Sequence, residues 1–193
     1  NGDHVAKINL KKLYENPKKI VVTAHRGWSG RYPENTLVAF QKAVEFGVDM
    51  VEFDLRGTRD GIPVVLHDPT IDRTSNGSGP PTKYSLKQLK QFNFSHYVGG
   101  CGENKPRLER PLYKHCQIPT FDEVLQLVPE SVGLNIQIYQ ADAELLPKII
   151  RLYEKYDLWG RGFLTMSTFA DARTVKKINP ELAAYLNNLL PSI

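Results

Sequence analysis

At 193 residues, 41% apolar and 24% charged, the chain is long and apolar enough to bury a core, which excludes a disordered or fibrous protein. Its formal net charge of +4 comes from Lys and Arg spread along the chain, without a basic block interleaved with aromatics, which argues against nucleic-acid binding and favours anionic small substrates only weakly. No apolar run approaches the ~20 residues needed to span a bilayer.

Residues 1–19 read as a polar lead-in, and the start on Asn1 rather than Met fits either a chosen chain boundary or a removed targeting segment. Ile20 to Ala24 is a β-branched run that ends in His25-Arg26-Gly27, so an imidazole and a guanidinium stand at the C-terminal end of a strand. After a loop over Trp28 to Pro33, Asn35 is the expected cap of a helix with Leu37, Phe40 and Val44 on one face, and Gly47 ends it.

The stretch Val51 to Asp68, VEFDLRGTRDGIPVVLHD, concentrates the chemistry. Glu52 and Asp54 alternate with Val51, Phe53 and Leu55, so a strand places both acids on one face. Acids in water on a half-covered sheet would give the same pattern. A pair of carboxylates also suits a hard divalent cation, and the nearby His67 suits proton transfer near neutral pH. Asp60-Gly61 signals a hairpin, and if those two residues form the turn, positions summing to 121 pair and His67 faces Asp54. Asp68 either orients His67 or closes the turn.

Residues 69–117 form a long excursion, expected to be a lid or binding loop, with turn-rich ends and one short helix signal from Ser85 through Phe92. Cys101 and Cys116 lie in it; a disulfide between them would argue for export, and an exported or periplasmic setting is slightly favoured over a cytoplasmic one. His4, His96 and His115 read as surface residues, without zinc-ligand spacing.

Beyond the excursion, Thr120 to Glu123 is a capping box opening a helix through Val128, and Gly133 to Ile138 is a strand. There Asn135, Gln137 and Tyr139 share the face opposite Ile136 and Ile138. A helix over Asp142 to Tyr156 interrupted by Pro147, a strand over Phe163 to Ser167, a helix over Thr168 to Ile178 and a strand over Leu182 to Leu186 complete the reading. Six strands separated by helices argue for an α/β protein with a parallel sheet, one domain over residues 1–193 with 69–117 inserted after the third strand. An eight-unit barrel typically needs ~250 residues, so either the last units are missing or the fold is open. His25, Glu52, Asp54 and His67 all sit at strand C-terminal ends, where active residues of such folds gather.

Taken together, His-Arg-Gly, Pro-Glu-Asn-Thr, Glu-x-Asp and His-Asp, in this order between His25 and Gly79, resemble the glycerophosphodiester phosphodiesterase family, a branch of the phosphatidylinositol-phospholipase-C-like barrels. The likeness continues loosely through IPTFDEVLQLVP, LNIQIYQ and the strand before Ser167. It implies a TIM-type (β/α)8 barrel, here lacking its last units, a Ca or Mg ion, and cleavage of a glycerophosphodiester to glycerol 3-phosphate and an alcohol. Carried over by position, Glu52 and Asp54 are metal ligands, His25 and His67 the acid and base, and Arg26 a phosphate contact.

Similar enzymes carry an acid and a lysine where this chain has Gln137 and Tyr139. Gln137 can still offer a carbonyl oxygen to the cation and Tyr139 a hydrogen bond to the phosphate, but a carboxylate and an ammonium are lost. Two alternatives follow. One is a phospholipase D-like relative acting on lysophospholipid or sphingolipid head groups, with an apolar groove built from Tyr84, Phe92, Phe94, Tyr97 and Tyr113. The other is a noncatalytic phosphoester-binding protein. Glu34 and Asn35 read as a loop-fixing residue and a helix cap rather than catalytic groups.

Overall fold

A computed structural model of the protein describes residues 6–99, 105–139 and 144–186. In chain order the elements are α1 (Leu10–Tyr14), β1 (Thr23–His25), α2 (Leu37–Phe46), β2 (Met50–Gly57), β3 (Pro63–Val65), α3 (Leu86–Leu89), α4 (Phe121–Leu127), β4 (Gly133–Ile138), α5 (Leu145–Lys155), β5 (Gly162–Met166), α6 (Phe169–Ile178) and β6 (Ala184–Leu186). β1, β2, β4, β5 and β6 are neighbours in that order and run parallel, and β3 pairs antiparallel with β2. The fold is α/β of the TIM-barrel type, with the described strands forming an arc from β1 to β6.

Burial decides how β2 sits. Val51, Phe53 and Leu55 turn toward the helices, where the Phe53 ring packs 5.7 Å from Phe40 of α2 and 5.8 Å from Phe121 of α4. Each such side chain contributes about 1.5–3 kcal/mol when fully buried. That choice of face drives Glu52 and Asp54 to the other side of the sheet, toward the barrel interior. They are no half-exposed acids: Asp54 is 0% exposed and Glu52 5%.

Several elements lie where the residues place them. Thr120 and Glu123 form the reciprocal capping box of α4, β4 has its expected bounds, and Gly47 ends α2 in the left-handed region at φ 89°. Others differ for physical reasons. The lead-in contains α1, capped by Asn9 and docked through Leu10, whose N–H donates to the Gly160 carbonyl. The β1 ladder starts only at Thr23, paired with Met50, and Ile20 is left exposed. Thr36, not Asn35, caps α2, its hydroxyl accepting from the Ala39 N–H. Pro147 does not interrupt α5, because it occupies the third position, where its missing N–H has no helical acceptor to lose. The first two residues of that expected helix, and Cys101 of the pair Cys101 and Cys116, lie outside the described residues.

The hairpin takes another register. Leu55 pairs with Val65 and Gly57 with Pro63, so paired positions sum to 120, and a five-residue connection over Thr58 to Ile62 replaces a two-residue turn. Leu66, not His67, faces Asp54, donating its N–H to the Asp54 carbonyl at 2.9 Å.

The described part of the excursion is packed rather than open. Ile71, Leu89 and Phe94 join Val64, Leu66 and Ile118 in a second apolar cluster, with Tyr84 and Phe92 stacked against it. Tyr97 is 1% exposed and His96, expected at the surface, is buried with Nδ1 2.9 Å from the Leu108 carbonyl. The aromatics are thus used internally, and of the five only Tyr113 counts as exposed.

Gly27 sets the turn after β1. Its φ is +73°, and a Cβ there would lie 2.8 Å from the Ala39 backbone carbon. Gly27→Ala should lower stability by about 1–3 kcal/mol, read as a lower urea midpoint at unchanged slope.

Candidate active site

The parallel register levels the site residues. His25 aligns with Glu52, Glu52 with Asn135 and Asp54 with Gln137. The β1 segment then turns sharply: Arg26 adopts φ 55° and Gly27 φ 73°, and Asn35 also lies in the left-handed region at φ 55°. Such non-glycine conformations cost about 1–3 kcal/mol each and persist only where neighbours hold them. Here the neighbours are the two buried acids.

Glu52 Oε2 accepts the Arg26 backbone N–H at 2.9 Å, and His25 Nε2 stands 3.8 Å from the same oxygen. Glu52 Oε1 is buried without a hydrogen-bond partner. Asp54 Oδ1 accepts the Tyr139 hydroxyl at 3.0 Å, and Oδ2 accepts Asn35 Nδ2 at 2.8 Å with Arg26 Nε at 3.5 Å. Burial, reinforced by the neighbouring Asp54, pushes the Glu52 carboxyl up to about 8. Burial and the adjacent Arg26 lower the pKa of His25.

His67 follows β3, with Nδ1 2.7 Å from Asp68 Oδ1 and its ring edge-on to Tyr139 at 5.4 Å between centroids. Of the two readings of Asp68, the orienting contact is the one formed. Arg56, on the same β2 face as the two acids, donates Nε to the His67 carbonyl at 2.8 Å and lies 4.5 Å over the Tyr139 ring. Gln137 sits half-buried beside Asp54 in register.

His25, Arg26, Glu52, Asp54, His67, Gln137 and Tyr139 therefore gather where β1 and β4 end and in the turn after β3; Glu52 and Asp54 lie in the middle of β2 rather than at its C-terminal end, because that strand runs on past the site to pair with β3. Composition and spacing missed Arg56 and three further participants. Asn35 bonds Asp54 instead of capping a helix, Glu34 bonds Arg26 Nη1 at 3.1 Å, and Arg73 from the excursion bonds both Glu34 and Asp68. Glu34 and Asn35 belong to the Pro-Glu-Asn-Thr motif, which was the available signal; nothing in the local pattern marked Arg73.

Residues 25–192 match the Glycerophosphoryl diester phosphodiesterase family. The chain belongs to that family. It is 36% identical over 169 residues to a glycerophosphodiester phosphodiesterase of Caldanaerobacter subterraneus subsp. tengcongensis, an alignment covering 85% of this chain and 65% of that protein. Among solved structures it resembles a putative glycerophosphoryl diester phosphodiesterase from Silicibacter pomeroyi (TM-score 0.77, 21% identity, 95% of this chain and 70% of the other). It also resembles an Oleispira antarctica phosphodiesterase in complex with the product sn-glycerol-3-phosphate (TM-score 0.72, 29% identity, 90% of this chain and 68% of the other).

The donor set fits an oxygen-seeking divalent cation of this phosphodiesterase family. Glu52 Oε1 and Asn35 Oδ1 are both buried oxygens without a hydrogen-bond partner, Asp54 is adjacent and Gln137 adds an amide oxygen. No group of three or more His, Cys, Asp or Glu able to hold a metal occurs among the described residues, in line with glutamine standing where a third acid is expected.

A carboxyl whose folded pKa lies above its unfolded value holds its proton in the native state where the unfolded chain has lost it, so its contribution to stability falls as pH rises through that interval. In metal-free protein, Glu52→Gln should therefore gain stability relative to wild type between about pH 5 and pH 8, with the two nearly equal at pH 5. Thermal melts of both proteins in chelator across that range check it; parallel curves would show that Glu52 carries no such shift.

Proposed function

We propose that this protein hydrolyses a glycerophosphodiester to glycerol 3-phosphate and an alcohol, using a Ca or Mg ion held by Glu52, Asp54 and Gln137 and acid-base catalysis by His25 and His67. The observation that carries this reading is the meeting of two imidazoles, two buried carboxylates and Arg26 at one rim of the sheet, from positions up to 42 residues apart in sequence, His25 to His67. The family membership and the product held by the Oleispira antarctica phosphodiesterase support the substrate class.

A bound cation would supply positive charge opposite the non-bridging phosphate oxygens. The chain's own residues do the rest. Arg26 brings a guanidinium that Glu34 and Asp54 hold in place, so a phosphate meets it already oriented. One histidine removes the proton of the attacking hydroxyl, the substrate's own glycerol 2-OH, while the other protonates the departing alkoxide; water then opens the cyclic phosphate with the two roles exchanged. His67 commits Nδ1 to Asp68 and so presents Nε2. The Tyr139 hydroxyl donates to Asp54, so a phosphate contact from it requires that bond to turn, and the cation at this level is Arg56, stacked on the Tyr139 ring.

The lipid-head-group alternative loses its groove, because Phe94 and Tyr97 are buried and Tyr84 and Phe92 pack on the second cluster. The noncatalytic alternative retains one observation, the third acid replaced by Gln137. A panel of glycerophosphodiesters with Ca or Mg separates the readings. Turnover should vanish on chelation, fall at least about a hundredfold in His25→Ala and in His67→Ala, and reach half-maximum at lower metal concentration in Gln137→Glu. No turnover of any diester with either ion would overturn hydrolysis in favour of binding alone.

A further inference from the structure

Between the imidazole and the phosphate-facing guanidinium runs a row of alternating charges. Asp68 Oδ1 accepts from both His67 Nδ1 (2.7 Å) and Arg73 Nη2 (2.9 Å), and Asp68 Oδ2 accepts Arg73 Nε at 2.7 Å. The other edge of the same guanidinium grips Glu34, Nη1 to Oε2 at 2.9 Å and Nη2 to Oε1 at 2.7 Å. Glu34 Oε1 in turn accepts Arg26 Nη1 at 3.1 Å. The Arg73 guanidinium lies 4.4 Å over the buried ring of Tyr97.

We propose that Arg73 is a positioning residue of this active site, coupling the proton-carrying His67 to the phosphate-facing Arg26 through Asp68 and Glu34. The proposal rests on the activity proposed above for its function, though not for its first test. A planar guanidinium is the one side chain whose fork can satisfy two carboxylates at once, which a lysine ammonium cannot. Because Arg73 shares Asp68 Oδ1 with His67, it draws on negative charge that would otherwise act on the imidazole alone. Burial works to raise the Asp68 carboxyl, but hydrogen bonds from His67 and Arg73 hold it well below the usual carboxylate range. The other groups facing His67 are Arg56 from β2, at its carbonyl, Tyr139 from the end of β4, edge-on to the ring, and His25 from β1, which feels its charge.

This places a working residue inside the segment that resembles a lid. The turn after β3 returns Arg73 to the rim, and Tyr97, from later in the same segment, forms its floor.

The test follows the imidazole signal of His67 by NMR in metal-free protein, assigned through its loss in His67→Gln. In Arg73→Met, Asp68 acts on His67 alone and the titration midpoint should rise by about half to one pH unit. Arg73→Lys, which keeps the charge but grips one carboxylate, should rise less. With glycerophosphocholine and Ca, kcat/KM of Arg73→Met should fall about 10–100-fold, as loss of an outer supporting partner typically does. The limb of the pH profile that His67 governs should move up, and Arg73→Lys should recover part of both. If both variants fold and titrate as wild type does, Arg73 does not couple His67 to Arg26 and the proposal is overturned; should Arg73→Met not fold, Arg73→Lys decides alone. Absence of turnover in wild type would defeat the proposed activity, while the titration still decides the position of Arg73.

Discussion

Two carboxylates withdrawn from water, Glu52 and Asp54, are the constraint to which the surrounding structure answers. An isolated buried carboxylate is very costly, so each must be protonated, bonded or matched by positive charge. The protein uses all three. Glu52 keeps its proton to higher pH and accepts one backbone N–H, and Asp54 is ringed by a hydroxyl, an amide and a guanidinium. One oxygen of Glu52 remains without a partner, which is the opening that a cation would fill.

The cations that balance this pair need anchors of their own, and supplying them shapes the loops. Arg26 reaches inward only because the chain turns through two left-handed residues, and it is steadied by Glu34. Glu34 requires a second cation, supplied by Arg73, and Arg73 joins it to Asp68 and His67. The other end of the sheet shows a different solution. Arg161, 2% exposed, donates to the carbonyls of Val128, Pro129 and Val132, where satisfied hydrogen bonds take the place of an acid partner.

The excursion illustrates why function could be read further than shape. Its length and turn content suggested a lid or binding loop, and its packing was not legible: Ile71, Leu89 and Phe94 find a second apolar cluster that no periodicity announces, since its members come from short, irregular stretches. The hairpin register failed for a related reason. Asp60-Gly61 is a turn signal in isolation, yet the Asp60 carboxylate is occupied by the Thr58 hydroxyl and the Leu86 N–H, and the longer connection follows from those bonds. Asn35 was open to the opposite error: a good cap by type, it is spent on Asp54, and the neighbouring threonine caps the helix.

What the sequence determined by itself was everything set by short-range repetition: the alternation that puts acids and apolar residues on opposite faces of β2, the capping box of α4, the glycine that ends α2, and the motif order that marks the family. What only the tertiary structure decided was the chain of charge from His67 to Arg26, and with it the purposes of Glu34, Asn35 and Arg73. Residues brought together across 39 positions, as Glu34 and Arg73 are, leave no mark on their neighbours in sequence. Their pairing is selected by burial and charge balance, which exist only once the chain has folded around them.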